Sequence, residues 1–195
     1  MFPRAVLFDM DGVLVKSEEV WFKVCEAAGA RFRGRALSRE EFFPTFGQGT
    51  AADVSVFGFH CTVAELDAFY VTEFVRHLDA MWVNPEARPL LDRLSAEGVK
   101  LALVTNTVAP LAVQILARAK LGDIFTSLAT ADRVTNAKPS PEIVQLACQE
   151  LAVSPADAWM VGDSRFDRAA AQAAGVFFIG LGIDGDRKIE RLSEL

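Results

Sequence analysis

Five short apolar runs punctuate this chain, at residues 5–8, 99–104, 125–129, 158–161 and 176–181. Runs of this length that do not alternate with polar residues suit parallel strands covered on both faces. Helical patterns separate the later ones. Val108, Leu111, Ala112, Ile115, Leu116 and Ala119 recur at three- and four-residue spacings and make one apolar helix face. Ser140-Pro141-Glu142 opens another helix, with a capping serine and a proline at the first helical position, and places Ile143, Ala147 and Leu151 on one side. Alternation of strand and helix predicts an α/β fold, a doubly wound, mostly parallel sheet with right-handed crossovers. Such sheets bind ligands beyond the carboxyl ends of their strands.

The interval between the first two runs breaks the pattern. After a helix over 85–97 is set aside, roughly 70 residues remain, far more than one crossover needs. Residues 17–82 read as helical. Ser17 is placed to cap a helix with Glu18 and Glu19 in its first turn, Ser38 with Glu41 and Thr62 with Glu65 fit capping boxes, and 65–82 is a long aromatic-rich helical stretch. The spacing predicts a small helical domain over 16–83, tethered at 13–16 and 83–85 and inserted into a core formed by 1–15 and 84–195. Gly47 and Gly49 divide the insertion and are read first as a helix–helix connector, with a substrate-facing loop as the alternative.

Bulk properties narrow the partners. A net charge of −6 without a basic stripe weighs against nucleic acid or an anionic membrane. Cys25, Cys61 and Cys148 are widely spaced and suggest neither a disulfide framework nor a zinc site, so three buried thiols in a reducing compartment are expected. No stretch approaches membrane-spanning length and no signal peptide is legible, so the expectation is a soluble, cytoplasmic protein acting on a small molecule.

The chemistry gathers where the runs end. Asp9-Met10-Asp11-Gly12 follows the first run and puts two carboxylates on one side of a strand end, which calls for a cation, a shared proton or open solvent. Thr105 and Asn106 follow the second run, Lys138 precedes a helix start, and Gly162-Asp163-Ser164 with Asp167 follows the fourth. In a doubly wound sheet these converge. Asp9 and Asp163 supply hard oxygen ligands for Mg²⁺, and Thr105, Asn106 and Lys138 supply donors for phosphoryl oxygens. Each residue alone has an ordinary reading as a strand end, a turn or a solvated lysine.

Together, Asp9-Met10-Asp11-Gly12-Val13-Leu14, Val104-Thr105-Asn106-Thr107, Lys138-Pro139 and Gly162-Asp163-Ser164-Arg165-Phe166-Asp167 resemble the four signature motifs of the haloacid dehalogenase superfamily. The helical insertion is similar to the cap of its phosphoglycolate phosphatase and beta-phosphoglucomutase branch. The resemblance implies a Rossmann-like core and a Mg²⁺-dependent phosphatase acting on a small phosphorylated metabolite such as phosphoglycolate or a sugar phosphate. It implies Asp9 as the nucleophile forming an aspartyl-phosphate and Asp11 as general acid and base. Asp9, Met10, Asp11, Thr105, Asn106 and Lys138 would meet the phosphoryl group. The metal would lie at Asp9, Asp163 and the Asp11 backbone carbonyl, with Asp167 supporting it and Lys138.

Departures from the family pattern order the alternatives. Haloacid dehalogenases lack the second carboxylate, which Asp11 supplies here. Beta-phosphoglucomutases carry a histidine after the first motif, where this chain offers Trp21. Phosphonatases form a Schiff base through a cap lysine, for which Lys23 is the candidate. Lys16 stands where relatives commonly have aspartate and is read as exposed. Arg31, Arg33, Arg35, Arg39 and the 47–50 turn are candidate specificity residues of the cap. A receiver-like signalling domain is the alternative from another class, with Asp132 as its phosphoacceptor.

Overall fold

The computed structural model describes residues 3–195. The chain runs β1 (Ala5–Phe8), β2 (Val15–Lys16), α1 (Glu18–Phe32), α2 (Arg39–Phe42), α3 (Thr50–Phe57), α4 (Val63–Val75) and β3 (Trp82–Val83). It continues through α5 (Ala87–Ala96), β4 (Lys100–Thr105), α6 (Ala109–Ala119), β5 (Ser127–Thr130), α7 (Glu142–Glu150), β6 (Ala158–Gly162), α8 (Arg165–Ala174), β7 (Phe177–Leu181) and β8 (Arg187–Ile189).

Among the described residues, six strands form one parallel sheet in the order β5-β4-β1-β6-β7-β8. Alternation along β1 creates its two layers. Val6 and Phe8 join Leu91 and Leu94 of α5 and Leu111 and Ile115 of α6, whereas Ala5 and Leu7 join Ile143 and Ala147 of α7 and Ala170 and Ala171 of α8. With both faces covered, the strands have no solvent side, which is why they read as unbroken apolar runs. From β1 the chain steps to β4 and out to β5, then returns across β1 to β6, β7 and β8. That reversal opens a crevice at the carboxyl ends of β1 and its neighbours.

The chain leaves and re-enters this sheet through paired strands. Val15 pairs with Val83 and Lys16 with Trp82, and Asn84 donates through its side chain to Val13 O at 3.0 Å. The four helices between β2 and β3 stand over the crevice, and their apolar residues Val20, Val24, Leu66 and Phe74 belong to the same cluster as Phe8 and Leu111. The capping boxes at Ser38 and Thr62 form as expected.

Several expectations need correction. The helical stretch over 65–82 is not continuous: α4 ends at Val75, a 3-10 turn spans Leu78–Ala80, and Trp82 is extended against Lys16. Sheet pairing outweighs local propensity there. Ser17 occupies the N-cap position of α1, but its hydroxyl makes no cap bond and donates to Asp11 instead. β8 was not anticipated, since Arg187 and Lys188 are exposed on an edge strand with no apolar period. Cys61 is only partly buried, while Cys25 and Cys148 are buried, and all three are free thiols. Lys16 is exposed, with its ammonium 5.1 Å from the centre of the Trp82 ring. Among the described residues, no helix is long and apolar enough to cross a membrane.

Candidate active site

The crevice brings the sequence-predicted residues to one place. Asp9 follows the last residue of β1, Thr105 ends β4, and Asp163 follows the last residue of β6. Asp167 sits in the first turn of α8, and Lys138 lies on the loop between β5 and α7. Asp9, Asp11, Thr105, Asn106, Lys138 and Asp163 all line one cleft whose other wall comes from residues 21–70, enclosing about 770 Å³ of empty space open to solvent.

Lys138 organises the cleft floor. Its ammonium donates to Asp9 Oδ1 at 2.6 Å, to Asp167 Oδ1 at 2.7 Å and to Val104 O at 3.0 Å. Asp167 is fully buried, and its other oxygen accepts from Ser164 N at 3.0 Å and Ser164 Oγ at 2.5 Å. Burial opposes the charge on Lys138, but Asp167 and Asp9 outweigh it and hold the ammonium firmly protonated. The carboxyl groups outnumber this one cation. Burial, then Asp167, raises Asp9 well above the usual carboxylate range, and burial with Asp167 pushes Asp163 up to about 7.

Such an excess of acid fits a bound cation. Asp9, Asp163 and Asp167 each offer a carboxylate oxygen, and these atoms lie within 4.8 Å of one another. The packing beside Asp163 requires glycine at position 12: a Cβ there, where φ is +86°, would stand 1.8 Å from Asp163 Oδ2. Oxygen-only donors of this kind suit a hard divalent ion such as Mg²⁺.

Asp11 is held apart from this cluster. Its Oδ1 accepts from Ser17 Oγ and from Trp21 Nε1 at 3.1 Å, and Thr107 Oγ1 donates to its Oδ2 at 3.1 Å. Burial raises its pKa, and the three donors pull the other way. Two carboxyl groups two residues apart thus have different surroundings: Asp9 faces an ammonium and other acids, Asp11 faces neutral donors.

Three expected residues take narrower parts than their motifs suggested. Met10 is fully buried in the core and is not part of the cleft lining. Asn106 is committed to positioning: its Oδ1 accepts Lys138 N at 2.9 Å, and its Nδ2 donates to Lys138 O at 2.9 Å and Gly47 O at 3.1 Å. Thr105 is buried, and its Oγ1 accepts Thr107 N at 3.1 Å. The Gly47 turn is accordingly more than a connector, since it lines the cleft and is bonded to it.

Four arginines expected near the substrate are elsewhere. Arg33 and Arg35 pair with Glu41 at 2.9 Å and 2.8 Å, Arg39 pairs with Glu19 at 2.6 Å, and Arg31 lies over the Phe32 ring. Lys23 is exposed, and neither it nor these arginines line the cleft. Asp132 also lies outside it and accepts Ala109 N at 2.9 Å, which removes the receiver-like reading. Sequence reasoning missed Ser17 and Thr107 as partners of Asp11, and Ser164 as the partner of Asp167. The Ser17 signal was read as a helix cap, and Thr107 stood inside a recognised motif without an assigned task.

Comparison with known proteins agrees with this geometry. Residues 6–181 match the haloacid dehalogenase-like hydrolase family. The chain belongs to that family. A phosphorylated carbohydrates phosphatase of Thermotoga maritima is 30% identical, over 89% of this chain and 82% of its own. A phosphoglycolate phosphatase of Rhodospirillum rubrum is 32% identical, over 89% of this chain and 77% of its own. The crystal structure of CbbY from Rhodobacter sphaeroides in complex with phosphate superposes with a TM-score of 0.86 at 26% identity, covering 100% of this chain and 96% of that one. As a haloacid dehalogenase-like hydrolase, the protein is a phosphoric monoester hydrolase.

Proposed function

We propose that the protein is a Mg²⁺-dependent phosphatase of a small phosphorylated metabolite, working through an aspartyl-phosphate on Asp9. Residues 1–15 and 84–195 act as the catalytic core, and 16–83 as the cap that covers it. The observation that carries this reading is the separation of environments. Asp9 sits 2.6 Å from the Lys138 ammonium among metal-competent carboxylates, while Asp11 is half-buried among neutral donors. Pairs of carboxyl groups with divergent surroundings divide nucleophilic and proton-transfer work.

Asp9, Asp163, the backbone carbonyl of Asp11 and, beside them, Asp167 would hold the cation. Bound there, it supplies charge neutralisation for the phosphate oxygens. Asp9 attacks phosphorus as the bond to the alcohol oxygen breaks, and protonated Asp11 gives its proton to that oxygen. Lys138 and Thr105 hold the equatorial oxygens. Asp11 then takes a proton from the water that attacks phosphorus of the aspartyl-phosphate, the bond from Asp9 oxygen to phosphorus breaks, and inorganic phosphate leaves with the Asp9 carboxylate restored. Closure of the cap excludes bulk water during the first step.

Two alternatives have less support. Trp21, where mutases carry histidine, can donate but cannot accept a proton, so it offers Asp11 no relay. The Schiff-base chemistry of a phosphonatase would need a lysine facing the substrate, and Lys23 is outside the cleft.

The deciding assay is release of p-nitrophenol from p-nitrophenyl phosphate. Turnover should vanish with EDTA and return with Mg²⁺, and Asp9→Asn should lower kcat by at least about 10⁴-fold. Wild-type rates in purified Asp9→Asn protein would overturn the scheme.

A further inference from the structure

We propose that the cleft selects phosphomonoesters whose alcohol portion is hydroxylated and carries no second negative charge. This rests on the phosphatase reading and names its substrate class. The cap wall is acidic and polar. Asp53 is buried there, accepting from Gln48 Nε2 at 2.7 Å and the Tyr70 hydroxyl at 2.9 Å, and Asp67 accepts from Thr50 Oγ1 at 2.7 Å. All five residues line the cleft.

No cation answers these two carboxyl groups. Among the described residues, Lys138 is the only lysine or arginine in the lining, and its ammonium already serves Asp9, Asp167 and Val104 O on the floor. The cap's arginines are engaged elsewhere, Arg33 and Arg35 with Glu41, Arg39 with Glu19, Arg76 with Glu73 and Arg31 over the Phe32 ring, and none lines the cleft. The exposed Arg165, next to the lining residue Ser164, lies over the Phe166 ring and donates to Pro44 O. A carboxylate or second phosphate on the substrate would therefore enter a partly desolvated site beside two acids, with nothing to pair it. Hydroxyl groups meet the opposite situation. Each carboxyl oxygen keeps acceptor capacity beyond the bonds it makes, and Gln48, Thr50 and Tyr70 hold both acids in place.

The test uses matched pairs that differ in one terminal group. 2-Hydroxyethyl phosphate is compared with phosphoglycolate, and glycerol 3-phosphate with 3-phosphoglycerate, with p-nitrophenyl phosphate as the reference. The hydroxyl member of each pair should have the higher kcat/KM, by at least about tenfold, and Asp67→Asn should shrink that ratio several-fold by favouring the carboxylate member. Equal or reversed kcat/KM within the pairs, or an unchanged ratio in Asp67→Asn, would overturn the inference while leaving the phosphatase reading intact. Absence of Mg²⁺-dependent turnover on p-nitrophenyl phosphate would remove both.

Discussion

The floor and the cap wall of the cleft both bury carboxylic acids, and they treat them differently. On the floor, Asp9 and Asp167 flank a lysine ammonium and lie within 4.8 Å of Asp163. In the cap, Asp53 and Asp67 meet an amide and hydroxyl groups and, among the described residues, no cation. In the proposed mechanism, charge compensation marks the place where phosphate is held and attacked. Its absence marks the place where an additional anion is unwelcome. One cleft therefore separates the chemistry, built from strand ends, from selection, built from helix faces.

The sharpest way to break the contrast is to remove the floor's cation. Lys138→Met leaves Asp9 and Asp167 buried without their partner, which should destabilise the metal-free protein by about 3–5 kcal/mol. It should also lower kcat by at least about 10²-fold, as loss of a preorganised phosphoryl donor does. Urea unfolding with and without Mg²⁺ separates the two effects, because a bound divalent ion takes over part of the compensation and should shrink the stability loss. A loss of the same size in saturating Mg²⁺ would mean that the cation and Lys138 do not share the same carboxylates. Removing the exposed guanidinium of Arg39 from Glu19 should leave the unfolding midpoint where it was.

The floor was far more legible in the sequence than the cap. Its residues sit at the ends of apolar runs, and a doubly wound sheet brings strand ends together whatever the loops between them do. Asp9, Thr105 and Asp163 could therefore be grouped before any distance was known, and Lys138, on the loop before α7, joined them through the Lys138-Pro139 motif. Cap residues have no such rule. Glu41 draws in Arg33 and Arg35 from eight and six residues away, and Asp53 finds Tyr70 across 17 residues, contacts set by how helices dock. Arginines that looked available for substrate were thus already paired, and the acids facing the cleft went unnoticed. Ser17 shows the same limit in miniature. Its position predicted a cap bond, and the proximity of Asp11 redirected its hydroxyl.

A smaller effect follows from the uncompensated acid in the cap. Burial pushes Asp53 up to about 7, with Gln48 and Tyr70 pulling it down and Asp67 adding to the rise. The folded protein thus binds this proton more tightly than the unfolded chain, whose aspartate titrates near 3.8. The stabilisation is complete below about pH 4 and is lost as pH rises through about 7, so stability should fall across that window. The contribution is at most about 4 kcal/mol. Asp53→Asn keeps the shape, turns one acceptor oxygen into a donor that the Tyr70 hydroxyl can accept from, and should flatten this part of the profile. Urea midpoints of both proteins at pH 5 and pH 8, in saturating Mg²⁺ so that the floor is held constant, give the difference directly. Parallel profiles would show that Asp53 is compensated after all.

Trp21 belongs to both regions and should show the smallest effect. It rises from α1 in the cap, packs edge-on to Tyr70 with ring centres 5.3 Å apart, and reaches Asp11 on the floor with its indole N–H. Trp21→Phe keeps an aromatic ring against Tyr70 and Phe74 and deletes that one donor. Ser17 and Thr107 still hold Asp11, so the loss is one hydrogen bond of about 1 kcal/mol, and kcat on p-nitrophenyl phosphate should fall by less than about tenfold. KM should stay unchanged, because the indole positions the proton donor and touches none of the phosphoryl oxygens assigned to Lys138 and Thr105. A rise in KM with kcat intact would instead place Trp21 on the selecting side, as a surface for the alcohol.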